Sequence, residues 1–534
     1  MGYNRVPVTY IQETFTPEEA QLLSQFVSNL DKPVFALTNL PEVVKGALFA
    51  RYSRSDKSVR RLLLDEFLTD ADLVSSQHSN AGAGKAESLY GRIFLEYGDD
   101  SVAQLGGVHL ACEQASNLLT KVLEWGRIAS YLEQSTRYIS YATKLGGKFR
   151  YFTPPELSGS DLAERYEAFM ISLFETYSDM IEVLIPYFEE QFPQDPDDSN
   201  WVWRSTIKAK AFDTVRGMLP ASTLSNVGIY ASGQAYEMAL IRMQASPLAE
   251  ARDYGELMLT ELRKVIPAFM SRVDLPERGI RASEYLAKNR AAVEAMNIEA
   301  SPLPVAEVIL VDWDPEAELK LAAAALYSTS EQPDTQLLAA ARRMTPDQIG
   351  EIIAAYVGDR TNRRHKPGRA AERTYYRFDI LSDYGSFRDL QRHRMLTIEW
   401  QRLGTRFGYD TPELLADVGL DARWHALMAE ASELFEAVNN ELGPDVAQYV
   451  VPFCFKIRYN LEMNVREAFH LLELRTQPSG HPAYRRVCQD MHRQISEVAG
   501  HHQIAAAMKY VNYDAADLER LEESRRIESK RRGA

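Results

Sequence analysis

Two short stretches of this 534-residue chain concentrate polar side chains that are suited to binding phosphate. The first clamp, residues 125–138, contains Arg127, Ser130, Glu133, Ser135 and Arg137. Arginine forks and hydroxyls bind phosphate oxygens, and a neighbouring carboxylate can orient a base or a ribose hydroxyl. The composition of this clamp indicates nucleotide binding. A helix end with surface ion pairs, which contribute little to stability, is the alternative interpretation.

The second clamp, residues 391–402, lies much later in the chain and contains the run Arg392-His393-Arg394. Further on, a predicted helix carries Asn464 and Arg475, which are about three turns apart and therefore share one face. The same helix carries Arg466 and His470 on another face. Two ligands could lie along this helix, although an amphipathic helix with solvent-facing charges would have a similar sequence.

The elements that must position these groups are predicted from apolar spacing. Before each clamp, apolar residues recur three or four positions apart, which predicts a helix leading into the clamp. The chain from 216 to 242 is also predicted to be helical, and 307–313 reads as a buried strand before a helix opened by Asp314-Pro315. The apolar residues before the clamps are Leu105, Val108, Cys112, Ala115, Leu119 and Val122 in one case and Ile380, Tyr384 and Phe387 in the other.

The order of features repeats along the chain. Three features of the first half recur in the second half in the same order: the first clamp, a Thr-Pro-containing turn and a later Leu/Ile-Arg pair. The distance along the chain between each feature and its counterpart becomes shorter from the first feature to the last. The length also exceeds what one hydrophobic core supports. We therefore predict two diverged copies of one domain, 1–303 and 304–515, joined near a proline-rich segment. A charged C-terminal tail, 516–534, is expected to be a solvated or frayed helix.

Composition limits the classes of function. The net charge of −15 argues against general binding to nucleic acid, which requires a basic surface. No segment is apolar enough for a membrane span, and we expect a cytoplasmic protein. The three cysteines lack CxxC spacing, and His492, His501 and His502 lack partners at metal-binding spacing, so no metal site is predicted.

With these residues in view, the two clamps together resemble the signature of flavin-dependent thymidylate synthases, RHRxxSxNExSxRY. The first clamp matches its later part but has Trp125 and Gly126 where the first Arg and His belong. The second clamp keeps RHR but departs afterwards, with Thr397 in place of the first Ser. The later helix resembles the family's Asn-x-Arg element followed by Leu-Arg, with His470 where a later Asn is expected. The matching residues of the first clamp are Arg127, Ser130, Glu133, Ser135, Arg137 and Tyr138.

The resemblance implies an α+β fold, present twice, in which long helices surround a curved, mostly antiparallel sheet. It also implies that the signature of one copy faces the Asn/Arg helix of the other. We therefore expect one well-furnished composite site, built from the first clamp and the second copy's helix, and a degenerate converse site. A homodimer would imitate the four-domain assembly of ordinary members.

The reaction implied by the resemblance converts dUMP to dTMP, with methylenetetrahydrofolate as carbon donor, FAD as cofactor and NADPH as reductant. Two alternatives remain open: a flavin enzyme acting on another pyrimidine nucleotide, and an inactive nucleotide-binding paralogue. No catalytic residue is assigned, because the reduced flavin carries the chemistry in this family. The resemblance assigns Ser135, Arg137, Arg216, Arg242 and Arg475 to the nucleotide, and Arg127, Ser130, Glu133, Arg392, His393, Arg394, Asn464 and Arg466 to FAD, with the RHR run in the doubtful site.

Overall fold

Helices predominate in the structure, a computed structural model that describes residues 13–52, 55–68, 104–296, 306–515 and 518–532. The strands form two small antiparallel sheets, which confirms the predicted helix-rich α+β class. The predicted boundary near residue 303 lies outside the described residues. Among the helices that are described, none combines the length and the apolar character needed to cross a membrane.

The chain divides into two compact units whose bounds differ from the predicted copies. Unit 1 comprises Met1–Cys112, Ile128–Leu132 and Val227–Ile298. Unit 2 comprises Glu113–Arg127, Glu133–Asn226 and Glu299–Ala534. Unit 2 therefore contains segments of both predicted copies, and it holds most of the residues singled out from the sequence.

The first half of the chain contains nine helices and three strands within the described residues, besides short 3-10 and π turns. In chain order they are α1 (Pro17–Leu23), α2 (Glu42–Tyr52), α3 (Val59–Leu62), β1 (Gly107–Ser116), α4 (Asn117–Leu123), β2 (Ala129–Glu133), α5 (Leu162–Gln191), α6 (Asn200–Val215), β3 (Leu224–Ser232), α7 (Gly233–Gln244), α8 (Ala249–Val265) and α9 (Arg281–Glu294).

The second half continues with four strands and a further set of helices. In chain order they are β4 (Val308–Trp313), α10 (Ala317–Tyr327), α11 (Asp334–Ala341), α12 (Pro346–Val357), β5 (Tyr375–Asp383), α13 (Tyr384–Leu390), β6 (Thr397–Trp400), α14 (Leu414–Asp417), α15 (Asp421–Leu442), α16 (Pro444–Ala447), β7 (Lys456–Asn464), α17 (Val465–Arg475), α18 (Pro482–Glu497), α19 (His502–Ala507) and α20 (Leu521–Arg532).

The sheets have the orders β1-β3-β2 and β4-β5-β7-β6. In the second sheet β5 and β7 pair antiparallel along their whole length, with Tyr376 opposite Met463 and Ile380 opposite Tyr459. All four of these side chains are buried, so one face of the sheet packs into the core. The predicted strand at 307–313 and the helix after Asp314-Pro315 are both confirmed by β4 and α10.

The long helix predicted before each clamp is wrong. Strand β1 comes before the seven-residue α4, and strand β5 comes before the seven-residue α13. In β1 the buried residues Val108, Cys112 and Ala115 keep helix-like spacing because the strand is irregular: Gln114 has a φ of 59°. Pairing with distant strands overrides such a local pattern. The helix predicted for 216–242 likewise contains β3, whose burial alternates as in a half-buried strand.

The two halves share a strand-to-helix junction at corresponding places. In each case the last residue of the strand directly precedes the helix and caps it. The side chain of this residue accepts a hydrogen bond from a backbone N–H of the first helical turn, which would otherwise be unpaired. In α4 and α13 the caps are Ser116 and Asp383, which accept from Leu119 and Ser386 over 2.9 and 2.8 Å. Ser232 and Asn464 cap α7 and α17 in the same way.

Equivalent segments of the two halves also meet within unit 2. Pro220 and Pro452, which stand four residues before β3 and β7 respectively, form an antiparallel bridge. The backbone bonds from Ala221 N to Val451 O and from Phe453 N to Leu219 O are 2.8 and 2.9 Å long. Self-pairing of equivalent segments is what approximate two-fold symmetry produces.

The C-terminal helix packs on the first half of the chain instead of standing free. Arg520, just before α20, and Ser524, within it, are buried. Arg525 of the same helix pairs with Asp198 at 2.7 Å. The predicted helix is present, but the prediction that it is fully exposed to solvent is wrong, because these polar groups have partners beside α6.

Candidate functional site

A fully buried carboxylate joins the two halves of the chain in unit 2. Glu133, at the end of β2, pairs with Arg392 at 2.5 Å, with Arg388 at 2.9 Å and with Lys121 at 3.4 Å. Burial alone would raise the pKa of this carboxyl, but the three cations hold the pKa far below its usual range. The first clamp and the start of the second clamp therefore meet, whereas the composite-site hypothesis pairs the first clamp with the second copy's helix and leaves the RHR run to the converse site.

Helix α13 ends in a second carboxylate that lies among three arginines. Asp389 lies 3.4 Å from Arg216, 3.7 Å from Arg475 and 3.9 Å from Arg392, measured between charged atoms. Burial opposes ionisation of Asp389, but these arginines lower its pKa well below the ordinary value. One carboxylate thus brings together predicted site residues from both copies. Arg216 comes from the first copy, and Arg392 and Arg475 come from the second.

The ion-pair network around Glu133 and Asp389 carries an excess of positive charge. Among the described residues its ion pairs contain five basic side chains and three carboxylates, an excess of two positive charges that the buried Asp383 beside Arg216 offsets in part. A phosphate monoester carries close to two negative charges near neutral pH. The members are Lys121, Arg216, Arg388, Arg392 and Arg475 on one side and Glu124, Glu133 and Asp389 on the other.

Arg216 connects this network with a cavity of about 230 Å³. Its side chain is 4% exposed, and its Nη2 atom has no hydrogen-bond partner, whereas Nη1 faces Asp389. A buried donor without a partner is costly, so its presence beside a cavity favours an anionic ligand there. The other charged or titratable cavity residues are Lys210, Asp213, Asp383, Asp410, Cys454, His481, Arg486 and Glu519.

Arg137 is held by a neighbouring aspartate and has little capacity left for a ligand. Its Nε and Nη2 donate to Asp213 over 2.9 and 2.5 Å, and its Nη1 donates to the Ser479 carbonyl and the Tyr484 hydroxyl, each at 3.3 Å. Burial would lower the pKa of Arg137, but Asp213 raises it. Ser135 accepts from the Arg137 backbone N–H at 3.2 Å. Both residues lie next to the network, and their assignment to the nucleotide stays a prediction.

His393, the centre of the RHR run, is buried and hydrogen bonded at both ring nitrogens. Arg475 Nε donates to His393 Nε2 over 3.0 Å, and His393 Nδ1 lies 2.8 Å from Glu467 Oε1. Because arginine only donates, the imidazole proton must be on Nδ1 and point to Glu467. Burial, together with the nearby Arg475 and Lys366, lowers the pKa of His393 well below its ordinary value, so the ring is neutral.

Potential metal-ligating atoms of His393, Glu467 and His470 lie within 4.8 Å of one another. The sequence spacing did not reveal this cluster. Its imidazole proton already bonds to the carboxylate, and Arg475 and Lys366 place positive charge beside it. Cationic neighbours disfavour a metal ion, so we interpret the cluster as an orienting network for Arg475.

The remaining predicted FAD residues are partly engaged inside the chain. Asn464 caps α17, and Arg466 donates to the Pro367 carbonyl at 3.0 Å and pairs with Glu372 at 3.3 Å. Arg127 is exposed and donates to Thr397 over 3.1 Å. Arg394 is half-buried. The donor set therefore fits an anionic cofactor at Arg127 and at Arg392, whose side chain is 36% exposed, but not at Asn464 or Arg466 as they stand.

Two predicted residues belong to unit 1 and are described only there. Ser130 is exposed on β2, and Arg242 is half-buried on α7, where burial lowers its pKa. Conversely, sequence reasoning missed the partners that hold the predicted arginines, notably Asp389, Asp213 and Arg388. An available signal was Arg388-Asp389, a charged pair at the end of the apolar segment before the second clamp.

Comparisons with known proteins also divide the chain into two matching segments. The family model described as thymidylate synthase complementing protein matches residues 47–268 and 308–500. A UPF0159 protein of Chlamydia muridarum is 40% identical over 523 residues, covering 96% of this chain and 98% of the relative. A flavin-dependent thymidylate synthase of Clostridium tetani is 25% identical over 177 residues, covering 33% of this chain and 66% of the relative.

Among solved structures, a UMP/dUMP methylase from Streptomyces cacaoi with bound 5-Br dUMP matches with 17% identity and a TM-score of 0.31. The match covers 37% of this chain and 94% of that chain.

Proposed function

Because the chain belongs to the family of thymidylate synthase complementing proteins, as a tandem and internally diverged member, we propose that it methylates dUMP to dTMP. Methylenetetrahydrofolate would be the carbon donor, FAD the cofactor and NADPH the reductant. The relative from Clostridium tetani, whose name states flavin dependence, supports the choice of cofactor.

The observation that carries this proposal is the convergence of Arg216, Arg392 and Arg475 around Asp389, with Arg216 also lining a cavity. Three guanidinium groups from distant parts of the chain lie around Asp389, and the ion pairs of the connected network have an excess of two positive charges. Arginine recognises phosphate through paired N–H donors, and these bonds are strengthened where water is excluded. A nucleoside monophosphate is the ligand class that fits this charge.

The residues of the chain have separable roles in this proposal. Arg216 and Arg475 bind the nucleotide phosphate, while Glu133 and Arg388 hold Arg392 in position from the buried side. His393, neutral and fixed by Glu467, accepts from Arg475 and orients its guanidinium. A flavin supplies the redox chemistry of methyl transfer when bound, and Arg127 and Arg392 are the exposed donors that would hold its phosphates.

The two other candidate functions stay alternatives. An inactive nucleotide-binding paralogue is favoured by one observation, namely that Asn464 and Arg466 already bond within the chain. Action on another pyrimidine nucleotide would leave the phosphate site unchanged and would differ in the base contacts. We propose that the protein acts on a small nucleotide in the cytoplasm, without nucleic acid or a membrane as partner, and as a homodimer.

The direct test is calorimetric titration of the purified full-length chain with dUMP, UMP and deoxyuridine, in parallel with an absorbance spectrum. We expect binding of dUMP, at least tenfold weaker binding of deoxyuridine, and the visible absorbance of a bound oxidised flavin. Expression should also rescue a thymidine auxotroph. A colourless protein that binds dUMP would favour the inactive paralogue, and absence of any nucleotide binding would contradict the proposal.

A further inference from the structure

Asp389 has an arrangement that nucleotide binding alone does not require. Its carboxylate is surrounded by Arg216, Arg392 and Arg475, the arginines to which the proposed function assigns the nucleotide and the cofactor. An acidic side chain in that position competes with any incoming anion. Its presence therefore needs an explanation beyond binding.

The contacts of Asp389 are long for buried ion pairs. They measure 3.4, 3.7 and 3.9 Å, and only the contact with Arg216 falls within hydrogen-bond distance. Glu133, by contrast, has close contacts of 2.5 and 2.9 Å with Arg392 and Arg388. Charge-assisted hydrogen bonds are normally 2.7–2.9 Å long, so Asp389 balances the charge of these arginines without using their full hydrogen-bonding capacity.

Arg216 has an N–H donor that Asp389 does not use. Its Nη1 faces Asp389, while Nη2 is buried, lacks a hydrogen-bond partner and belongs to a residue that lines the cavity. Gly385 also lines the cavity, and a Cβ at this position would lie 2.9 Å from Asp383 Oδ1 and 3.3 Å from Arg216 Nη2, so the absence of a side chain leaves space beside this donor, which Asp383 flanks. The cluster thus contains a built-in anion and an unused donor side by side.

We propose that Asp389 is a built-in substitute for the substrate phosphate, which keeps the three arginines together in the ligand-free chain and sets a threshold for anion binding. An anion with two charges takes over the contacts of Asp389, whereas singly charged anions cannot compensate for losing them. This inference rests on the proposed function, since it assumes that the arginine cluster receives a nucleoside monophosphate. It assigns Asp389 as a specificity-determining residue that acts through the arginines.

The threshold follows from charge. With Asp389 ionised, the network has an excess of two positive charges, and removing this carboxylate raises the excess to three. Electrostatic attraction for every anion then increases, and it increases most for the anion with the larger charge. The wild-type residue therefore lowers the affinity for all anions, so that singly charged anions, which gain less from the arginines, bind too weakly to occupy the site.

The test compares the full-length wild type with Asp389→Asn, which preserves size and removes the charge. Calorimetry measures dUMP, deoxyuridine and inorganic phosphate with each protein. We expect Asp389→Asn to bind dUMP and inorganic phosphate at least tenfold more tightly, while the affinity for deoxyuridine changes less than twofold. The matched control is Asp445→Asn: Asp445 pairs with Arg402 at 2.8 Å, outside the network and away from the residues that line the cavity, so loss of its charge should not change the ratio of the dUMP and deoxyuridine affinities.

The outcomes separate the two proposals. If wild type does not bind dUMP, the proposed function fails. If wild type binds dUMP and Asp389→Asn binds it equally or more weakly, the function stands and the substitute role of Asp389 is wrong.

Loss of a buried partner can also destabilise the variant. Thermal denaturation with and without inorganic phosphate therefore provides a second measurement of anion binding. Added inorganic phosphate should raise the Tm of Asp389→Asn by several degrees more than it raises the Tm of the wild type. An equal or smaller increase in Tm would overturn the inference.

Discussion

Arg475 donates its Nε hydrogen to Nε2 of His393 over 3.0 Å, so a residue of the later helix determines which nitrogen of the RHR histidine carries the proton. Glu467 completes the arrangement from the other side of the ring at 2.8 Å. A histidine fixed in this way serves as a neutral support for an arginine. The role expected for His393 by resemblance, contact with FAD, stays a prediction, and the described contacts make the histidine a positioning residue.

Arg475→Ala should weaken dUMP binding by roughly 1–3 kcal/mol, because it removes one of three cations from the cluster. Arg402→Ala is the matched control. Arg402 pairs with Asp445 at 2.8 Å, outside the network, and should leave dUMP affinity within about 0.5 kcal/mol of wild type. Calorimetric titration measures both. Similar small losses from the two variants would argue against the composite site.

Glu133→Gln should destabilise the protein by about 3–5 kcal/mol, since it leaves Lys121, Arg388 and Arg392 without their shared buried carboxylate. Urea denaturation at pH 7 measures the loss as a lower midpoint. Glu399→Gln serves as the control because Glu399 is exposed, and its effect should stay within about 0.5 kcal/mol. A neutral result for Glu133→Gln would mean that the network does not contribute to folding.

Stability should fall as the pH drops below about 6.5, because several histidines have lowered pKa values in the folded chain. Burial and the neighbouring His393 lower the pKa of His470 to about 4, and His393 and His481 also have lowered pKa values. The unfolded state then binds more protons, so each histidine reduces the free energy of unfolding by at most about 1.4 kcal/mol per pH unit.

For His470 this loss runs from its ordinary pKa near 6.5 down to about 4. Denaturation midpoints for wild type and His470→Gln between pH 7.5 and 4.5 test the prediction. The variant should show a shallower decline, whereas parallel curves would remove His470 from the explanation.

Flavin stoichiometry should be below two per chain, because the two copies have lost different parts of the signature. Trp125 stands where the first copy's signature needs arginine, and it contacts Trp400 with ring centroids 5.9 Å apart. Titration of the deflavinated chain with FAD, followed by quenching of tryptophan fluorescence, gives the number of sites. Two equivalents at saturation would show that both copies remain competent.

Much of the later site could be predicted from sequence because it is local. The predicted helix to Arg475 is present, with Asn464 as its cap, but Arg392 was assigned to a different site from Glu133 and Arg475 although all three lie in one network. The partners of these residues were missed. Asp389 and Asp213 have no motif of their own, and their importance comes only from the arginines packed against them.

The secondary structure before the clamps shows the limit of local patterns. The spacing of Val108, Cys112 and Ala115 suits a helix, yet this segment is β1, whose residue Gln114 has positive φ. Strand formation depends on a distant partner that supplies the hydrogen bonds, and a window of neighbouring residues does not contain that information.

By itself, the sequence determined the family, its duplication and the helix-rich α+β class, and it predicted which arginines bind an anion. These follow from residue types at fixed short spacings, which local backbone geometry translates directly into structure. Only the tertiary structure decided that Glu133 meets Arg392 and that Asp389 lies among Arg216, Arg392 and Arg475. Such encounters depend on packing across more than a hundred residues of chain, because buried charges must find opposite charges wherever the fold brings them.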